Sequence, residues 1–319
     1  MRKNPALPPR RVRLLYGLKA DPRIMEMTND QLRKSAEDQN RLASSELMRI
    51  VTGVPARGVD MSWRELTLPD RKVWARVYRR TSANVLPVVI HVHGGGFAGT
   101  AAQCDWINSL LAARLPAVVV SVEHRLLNRD TPLQAAADDA WDVLEHLREN
   151  ADEWGIDTSR VALAGESCGA LIAALNCLKA RDAGIEIRAQ VLVNPVIDVT
   201  ETAFDYPTMS EFAESPTLNS DALELFRELA VPPKVDPRPL SPICAEVGRL
   251  PPTLLVIPEL DPLADQGRSY AKRLSDAGVS VRVSQYPKSG HAFLSMPGLD
   301  PAARAAGRGI LSFLSSHLT

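Results

Sequence analysis

The chain has 319 residues, 45% of them hydrophobic and 24% charged, which is material for a substantial buried core. Its 37 basic and 38 acidic side chains leave a net charge of −1, arguing against nucleic acid or an anionic membrane surface as the main partner. No apolar run approaches the roughly 20 residues of a membrane span, and the basic stretch Met1 to Arg11 leads into no signal-type apolar segment, so the expected compartment is the cytoplasm.

Residues 1–58 read as mostly helical and polar, with Thr28-Asn29-Asp30-Gln31-Leu32 as a helix start. Strands are expected near 73–78, 88–93 and 117–122. The second of these ends in His91-Val92-His93 and runs directly into Gly94-Gly95-Gly96-Phe97. Glycines after an early strand let backbone N–H groups come close to a substrate oxygen, as an oxyanion-binding loop requires. A helix follows the third strand. Thr131 is its expected cap, Pro132 its first residue, and Leu133, Ala136, Ala140, Leu144 and Leu147 share one face.

Arg160-Val161-Ala162-Leu163-Ala164 then feeds Gly165-Glu166-Ser167-Cys168-Gly169, and a helix-forming run follows. A G-x-S-x-G sequence between strand and helix is a nucleophile elbow. The turn strains the serine backbone, the flanking glycines avoid clashes, and the hydroxyl is pushed out at the carboxyl end of the strand. Ser167 is therefore the candidate nucleophile. Further strands are expected near 189–195, 253–258 and 281–286, and Asp300-Pro301 opens a last helix with Ala306, Ile310, Phe313 and Leu314 on one face. Strands alternating with helices imply an α/β fold with a mostly parallel sheet covered on both faces, and ligands beyond the carboxyl ends of its strands. The amino-terminal stretch and residues 200–240 fall outside this alternation, and both read as helical.

A serine nucleophile needs a base, and the base an orienting acid. Of the six histidines, His291 lies just past the strand at 281–286, where the order serine–acid–histidine puts the base. His146 and His317 fall in helical patterns; His91 and His93 belong to the strand before the glycine loop, which His93 is expected to shape. For the acid, Asp261 leaves the end of the buried strand at 253–257, and Pro262 stiffens its backbone. Asp198, past the strand at 189–193, is a rival; Asp265 and Glu259 are weaker candidates. Cys104, Cys168, Cys177 and Cys244 show no metal-ligand spacing. Cys168 and Cys177 would stand about 13 Å apart along one helix, too far for a disulfide. Reduced thiols are expected, with neither cofactor nor metal.

The residues His93-Gly94-Gly95-Gly96-Phe97, Gly165-Glu166-Ser167-Cys168-Gly169, Asp261-Pro262-Leu263 and His291-Ala292-Phe293 occur in this order, and Asp236-Pro237 and Ser241-Pro242 precede the acid-bearing strand. In these segments the chain resembles the hormone-sensitive-lipase-like carboxylesterases of the α/β-hydrolase fold. The resemblance implies Ser167 as nucleophile, Asp261 as acid and His291 as base, with the N–H groups of Gly95, Gly96 and Cys168 forming the oxyanion hole. It also implies a helical cap: residues 1–58 as its amino-terminal segment and 200–236 as its further helices, over a core made of 59–199 and 237–319. A homodimer is a reasonable assembly by the same resemblance. The chain departs from the family at Cys168 and Ala292, where Ala and Gly are usual, at Ala170, and in Glu123-His124-Arg125-Leu126-Leu127-Asn128-Arg129, of which only Arg125 and Leu126 match.

The expected function is a serine carboxylesterase acting on small or medium acyl esters, with Met25, Met27, Met209 and Phe212 as candidates for lining an acyl pocket. The alternatives are an amidase, deacetylase, lyase or cyclase reaction at the same site and, more remotely, a non-catalytic small-molecule receptor.

Overall fold

A computed structural model describes residues 7–16, 24–81 and 84–319. The helical reading of 1–58 is therefore tested only in part, because residues 1–6 and 17–23 lie outside the described residues.

Eight strands form one sheet: β1 (Asp60–Thr67), β2 (Lys72–Arg79), β3 (Leu86–Val92), β4 (Val118–Glu123), β5 (Ile156–Glu166), β6 (Ala189–Val193), β7 (Thr253–Leu260) and β8 (Val281–Gly290). Their spatial order is β1-β2-β4-β3-β5-β6-β7-β8. Only β2 runs against its neighbours; from β4 to β8 every pairing is parallel. β3, β4 and β6 are apolar runs because both faces of the sheet are covered. Side chains alternate between two layers with the pleat. Val88, Ile90 and Val92 join one core with the helices Leu133–Glu149, Cys168–Asp182 and Ala264–Asp276. Val89, Val119, Ala162 and Ala164 join the other, with the helices Asp105–Arg114 and Ala302–Leu318.

Seven strands lie where the sequence placed them, and the differences have physical causes. β1 was not anticipated: only Leu66 in it is buried, so it has no apolar alternation, and pairing with β2 alone defines it. β8 continues past the expected end at 286, since Gly290 pairs with Leu260 beyond an irregularity in the β7–β8 ladder. The five residues assigned to one face of the helix Leu133–Glu149 are all buried. Its N-cap, however, is Pro132 with no side-chain cap, while Thr131 is occupied in a bridge with Asn128.

The segment beyond β6 is helical as expected, with helices Pro207–Glu211 and Ser220–Ala230. The helix Asn29–Ala43 starts at Thr28, whose side chain accepts from the Gln31 N–H while the Gln31 side chain accepts from the Thr28 N–H. Among the described residues, no helix is long and apolar enough to cross a membrane.

Candidate active site

The chain turns from β5 into the helix Cys168–Asp182 at one residue, Ser167, whose φ of 55° and ψ of −120° are rare for a residue with a side chain. The turn is tight because the helix start packs against the neighbouring strand. A Cβ on Gly169 would stand 2.2 Å from the Val92 carbonyl oxygen and 2.4 Å from that of His93, so only glycine fits there. The Ser167 N–H donates to Val193 O at 2.9 Å, tying the elbow to β6.

Ser167, His291 and Asp261 form a hydrogen-bonded series. The Ser167 hydroxyl lies 2.8 Å from His291 Nε2, and His291 Nδ1 lies 2.8 Å from Asp261 Oδ2. An N–H on Nδ1 donates to the carboxylate and leaves Nε2 free to accept the serine proton. Asp261 is 0% exposed and His291 5% exposed. The other carboxylate oxygen of Asp261 accepts the Leu263 N–H at 2.9 Å, which fixes its rotation. The three side chains follow the ends of β5, β7 and β8, the location expected for a ligand site in a parallel sheet. Ala292, directly after the histidine, takes a left-handed φ of 59°; it occupies a conformation open to glycine at a strain of about 1–2 kcal/mol.

The rival acid, Asp198, is engaged elsewhere: its Oδ1 accepts the Thr200 N–H at 2.8 Å and its Oδ2 faces the Tyr206 hydroxyl at 3.5 Å. Asp265 pairs with Arg268 at 2.8 Å and accepts the Thr208 N–H, and Glu259 lies within β7. Neither meets the imidazole in a hydrogen bond.

The glycine loop lies beside the serine, since a Cβ on Gly94 would come within 3.2 Å of Ser167 Cβ. Gly95 has φ 107°, and the Ala98 N–H closes a turn onto its carbonyl at 2.7 Å. His93 shapes this loop, as anticipated: its Nδ1–H donates to Gly94 O at 2.9 Å, and its ring stacks on His124 at 4.2 Å. Gly96 packs under the Phe226 ring, which reaches it from the helix Ser220–Ala230. Met209, by contrast, is buried in the core with Leu223 and Leu229, where it holds helices together.

Cys168 is buried, and burial pushes its thiol up to about 12, with the Gly96 N–H opposing this by less. It is a neutral thiol at physiological pH. Behind the elbow lies a cluster that local sequence patterns could not reveal, because its members are far apart in the chain. Glu166 Oε1 accepts from Cys104 Sγ at 3.6 Å and lies 3.8 Å from His91 Nε2, while Oε2 accepts from the Ser295 hydroxyl at 2.8 Å. His91, Cys104 and Glu166 are the one group among the described residues with donor atoms within 4.8 Å of one another, the spacing of metal ligands; here the donors face each other. They anchor the residue that precedes Ser167. A second hidden anchor is Asp139, which is fully buried and accepts from Arg71 Nε, the Arg125 N–H and Arg125 Nε at 2.8–3.1 Å. Arg125 thus joins the end of β4 to the helix Leu133–Glu149.

Comparison with known proteins agrees with this fold. A family profile described as alpha/beta hydrolase fold matches residues 89–295. The chain is 36% identical to carboxylesterase NlhH of Mycobacterium tuberculosis over 252 residues, which is 76% of each chain. It is 32% identical to the ethyl acetate hydrolase of Pseudomonas putida, covering 72% of this chain and 73% of that one. The solved structure of a hyperthermophilic esterase from the archaeon Pyrobaculum calidifontis is similar with a TM-score of 0.84 and 28% identity, over 98% of each chain. With this sequence likeness over three quarters of its length and this sheet, the chain belongs to the hormone-sensitive-lipase-like carboxylesterase family of the α/β-hydrolase fold.

Proposed function

We propose that the protein is a serine carboxylesterase that hydrolyses small or medium acyl esters through an acyl-enzyme, with Ser167 as nucleophile, His291 as base and Asp261 as orienting acid. The observation that carries this reading is the series of two 2.8 Å contacts from carboxylate to imidazole to hydroxyl, beside a glycine loop. His291 Nε2 takes the Ser167 proton as the hydroxyl attacks the ester carbonyl, and Asp261 stabilises the imidazolium. The carbonyl oxygen, now negative, is held by the N–H groups of Gly95, Gly96 and Cys168; losing one such donor typically costs roughly 3–4 kcal/mol of barrier. The imidazolium then protonates the departing alkoxide, and water activated by the same nitrogen releases the acid. Phe226 over Gly96 bounds the space beside the loop, which supports small or medium acyl groups.

In the same reading, residues 1–58 and 200–236 form a cap over the core. The packing of Ile24–Glu26 against the helix Ser220–Ala230 supports this joint cap. Four free cysteines support a reducing compartment, the cytoplasm. A homodimer is the proposed assembly; β8 is an outer strand of the sheet with Val283 41% exposed.

The test is turnover of short p-nitrophenyl esters together with labelling by a fluorophosphonate, for the wild type and Ser167→Ala. Turnover and labelling that both vanish in Ser167→Ala support the proposal. Labelling without ester turnover points to another reaction at the site, and neither to a receptor.

A further inference from the structure

The glycine loop is held from outside by a residue far away in the chain. Asn40, on the helix Asn29–Ala43, makes two hydrogen bonds with one glycine 59 residues on: its Nδ2 donates to Gly99 O at 2.7 Å, and its Oδ1 accepts the Gly99 N–H at 2.9 Å. The carboxamide pairs with Gly99 as a second peptide group would, satisfying both backbone polar groups at once. Gly99 is in turn packed on the start of the loop, since a Cβ placed on it would stand 2.3 Å from Gly94 O. That carbonyl also accepts from Gln103 Nε2 at 3.2 Å and from His93 Nδ1 at 2.9 Å. Gly95 and Gly96 lie between these two fixed ends, and Gly96 O accepts the Leu127 N–H at 3.0 Å.

We propose that Asn40 is a positioning residue that sets the directions of the loop amides, so that docking of the helix Asn29–Ala43 is coupled to the reaction rate. This rests on the reading of Gly95 and Gly96 as oxyanion donors. An oxyanion donor acts through its aim at the position of the developing charge, so the effect of a slackened loop falls on the transition state more than on the bound ester. The same helix has a second tether that avoids the loop: Asn29 Nδ2 donates to Asp130 Oδ2 at 2.8 Å, and Asn29 Oδ1 accepts the Arg129 N–H at 3.0 Å. Cutting one tether or the other therefore separates loop positioning from general loosening of the helix.

The experiment compares wild type, Asn40→Ala, Asn40→Asp and Asn29→Ala in ester kinetics, thermal unfolding and inhibition by a trifluoromethyl ketone, whose adduct with the serine carries an oxyanion. For both Asn40 variants kcat is expected to fall about 10- to 100-fold with KM within about twofold, and the inhibitor to bind more weakly by a similar factor. Asn29→Ala is expected to keep kcat within about twofold. If Asn40→Ala does not fold, Asn40→Asp, of the same shape, carries the test. Wild-type kcat in the Asn40 variants, an equal loss in Asn29→Ala, or a rise in KM at constant kcat would each overturn the proposal. An inactive wild type would instead count against the esterase reading.

Discussion

Mild acid should weaken the fold at a definable place, the stacked pair His93–His124. The two rings are 0% and 3% exposed, with centroids 4.2 Å apart and planes 15° from parallel. Burial holds His93 well below the ordinary imidazole range, reinforced by the charge His124 would carry; burial also lowers His124, although Arg125 O and His93 O oppose this. In the unfolded chain each ring takes up its proton near about pH 6.5. As pH falls below that value the unfolded state gains protons that the folded state refuses, so stability is complete above about pH 6.5 and declines below it. Between about pH 7.5 and 5.0, an imidazole that stays neutral in the fold forfeits about 2 kcal/mol. For a chain of 319 residues that is about 3 °C in Tm.

Glu123 and Asp300 act with the opposite sign, because burial raises their carboxyls and their unfavourable contribution fades as pH falls. The difference between wild type and His124→Phe isolates the imidazole. Phenylalanine keeps a flat ring against His93 and removes one titrating group, while the lost contacts of His124 to Arg125 O (2.9 Å) and His93 O (3.3 Å) give an offset already present at neutral pH. Calorimetry across this range should show wild-type Tm falling by up to about 3 °C more than that of the variant. Parallel curves would refute the reasoning that the pair is held neutral by its surroundings.

Other perturbations give equally definite outcomes. Gly169→Ala drives a Cβ to within 2.2 Å of Val92 O and should lower stability by at least about 3 kcal/mol or abolish folding, whereas Gly184→Ala, with nothing within 4 Å of the added carbon, should stay near about 1–2 kcal/mol; equal melting temperatures for the two would contradict the packing at the elbow. Asp139→Ala leaves the Arg125 N–H without its acceptor, while Arg71 keeps Asp70 and Asp142, and should cost about 1–3 kcal/mol in denaturant unfolding; a wild-type midpoint would show the network to be idle. Asp198→Asn should retain kcat within about threefold while Asp261→Asn drops it by about 10⁴; the reverse order would move the acid to β6. With its thiol pushed up to about 12, Cys168 should resist iodoacetamide at neutral pH while exposed Cys244 reacts and activity persists; loss of activity in step with alkylation of Cys168 would overturn this.

What the sequence disclosed follows from how local each feature is. The elbow, the glycine loop and the buried strands each write their geometry into consecutive residues, since a tight turn demands glycine and a doubly covered strand demands an apolar run. β1 does the opposite: Trp63 is 40% exposed and lies under Arg76, and the strand exists because β2 offers it a partner. Asp261 and Asp198 both leave the ends of buried strands, so sequence order could only rank them. The structure separates them by what else each carboxylate touches: Leu263 N–H and His291 for one, Thr200 N–H and Tyr206 for the other. The supports of the site are the least legible of all. Asn40 on Gly99, Arg71 and Arg125 on Asp139, and Cys104 with Ser295 on Glu166 are isolated polar contacts between residues 14 to 129 positions apart. No periodicity announces such pairs, yet each satisfies a buried polar group that would otherwise cost about 1–3 kcal/mol. The proposed reacting groups are thus written locally and their alignment non-locally. Substitutions at those supports should therefore change the rate or stability of a protein whose recognisable motifs remain intact.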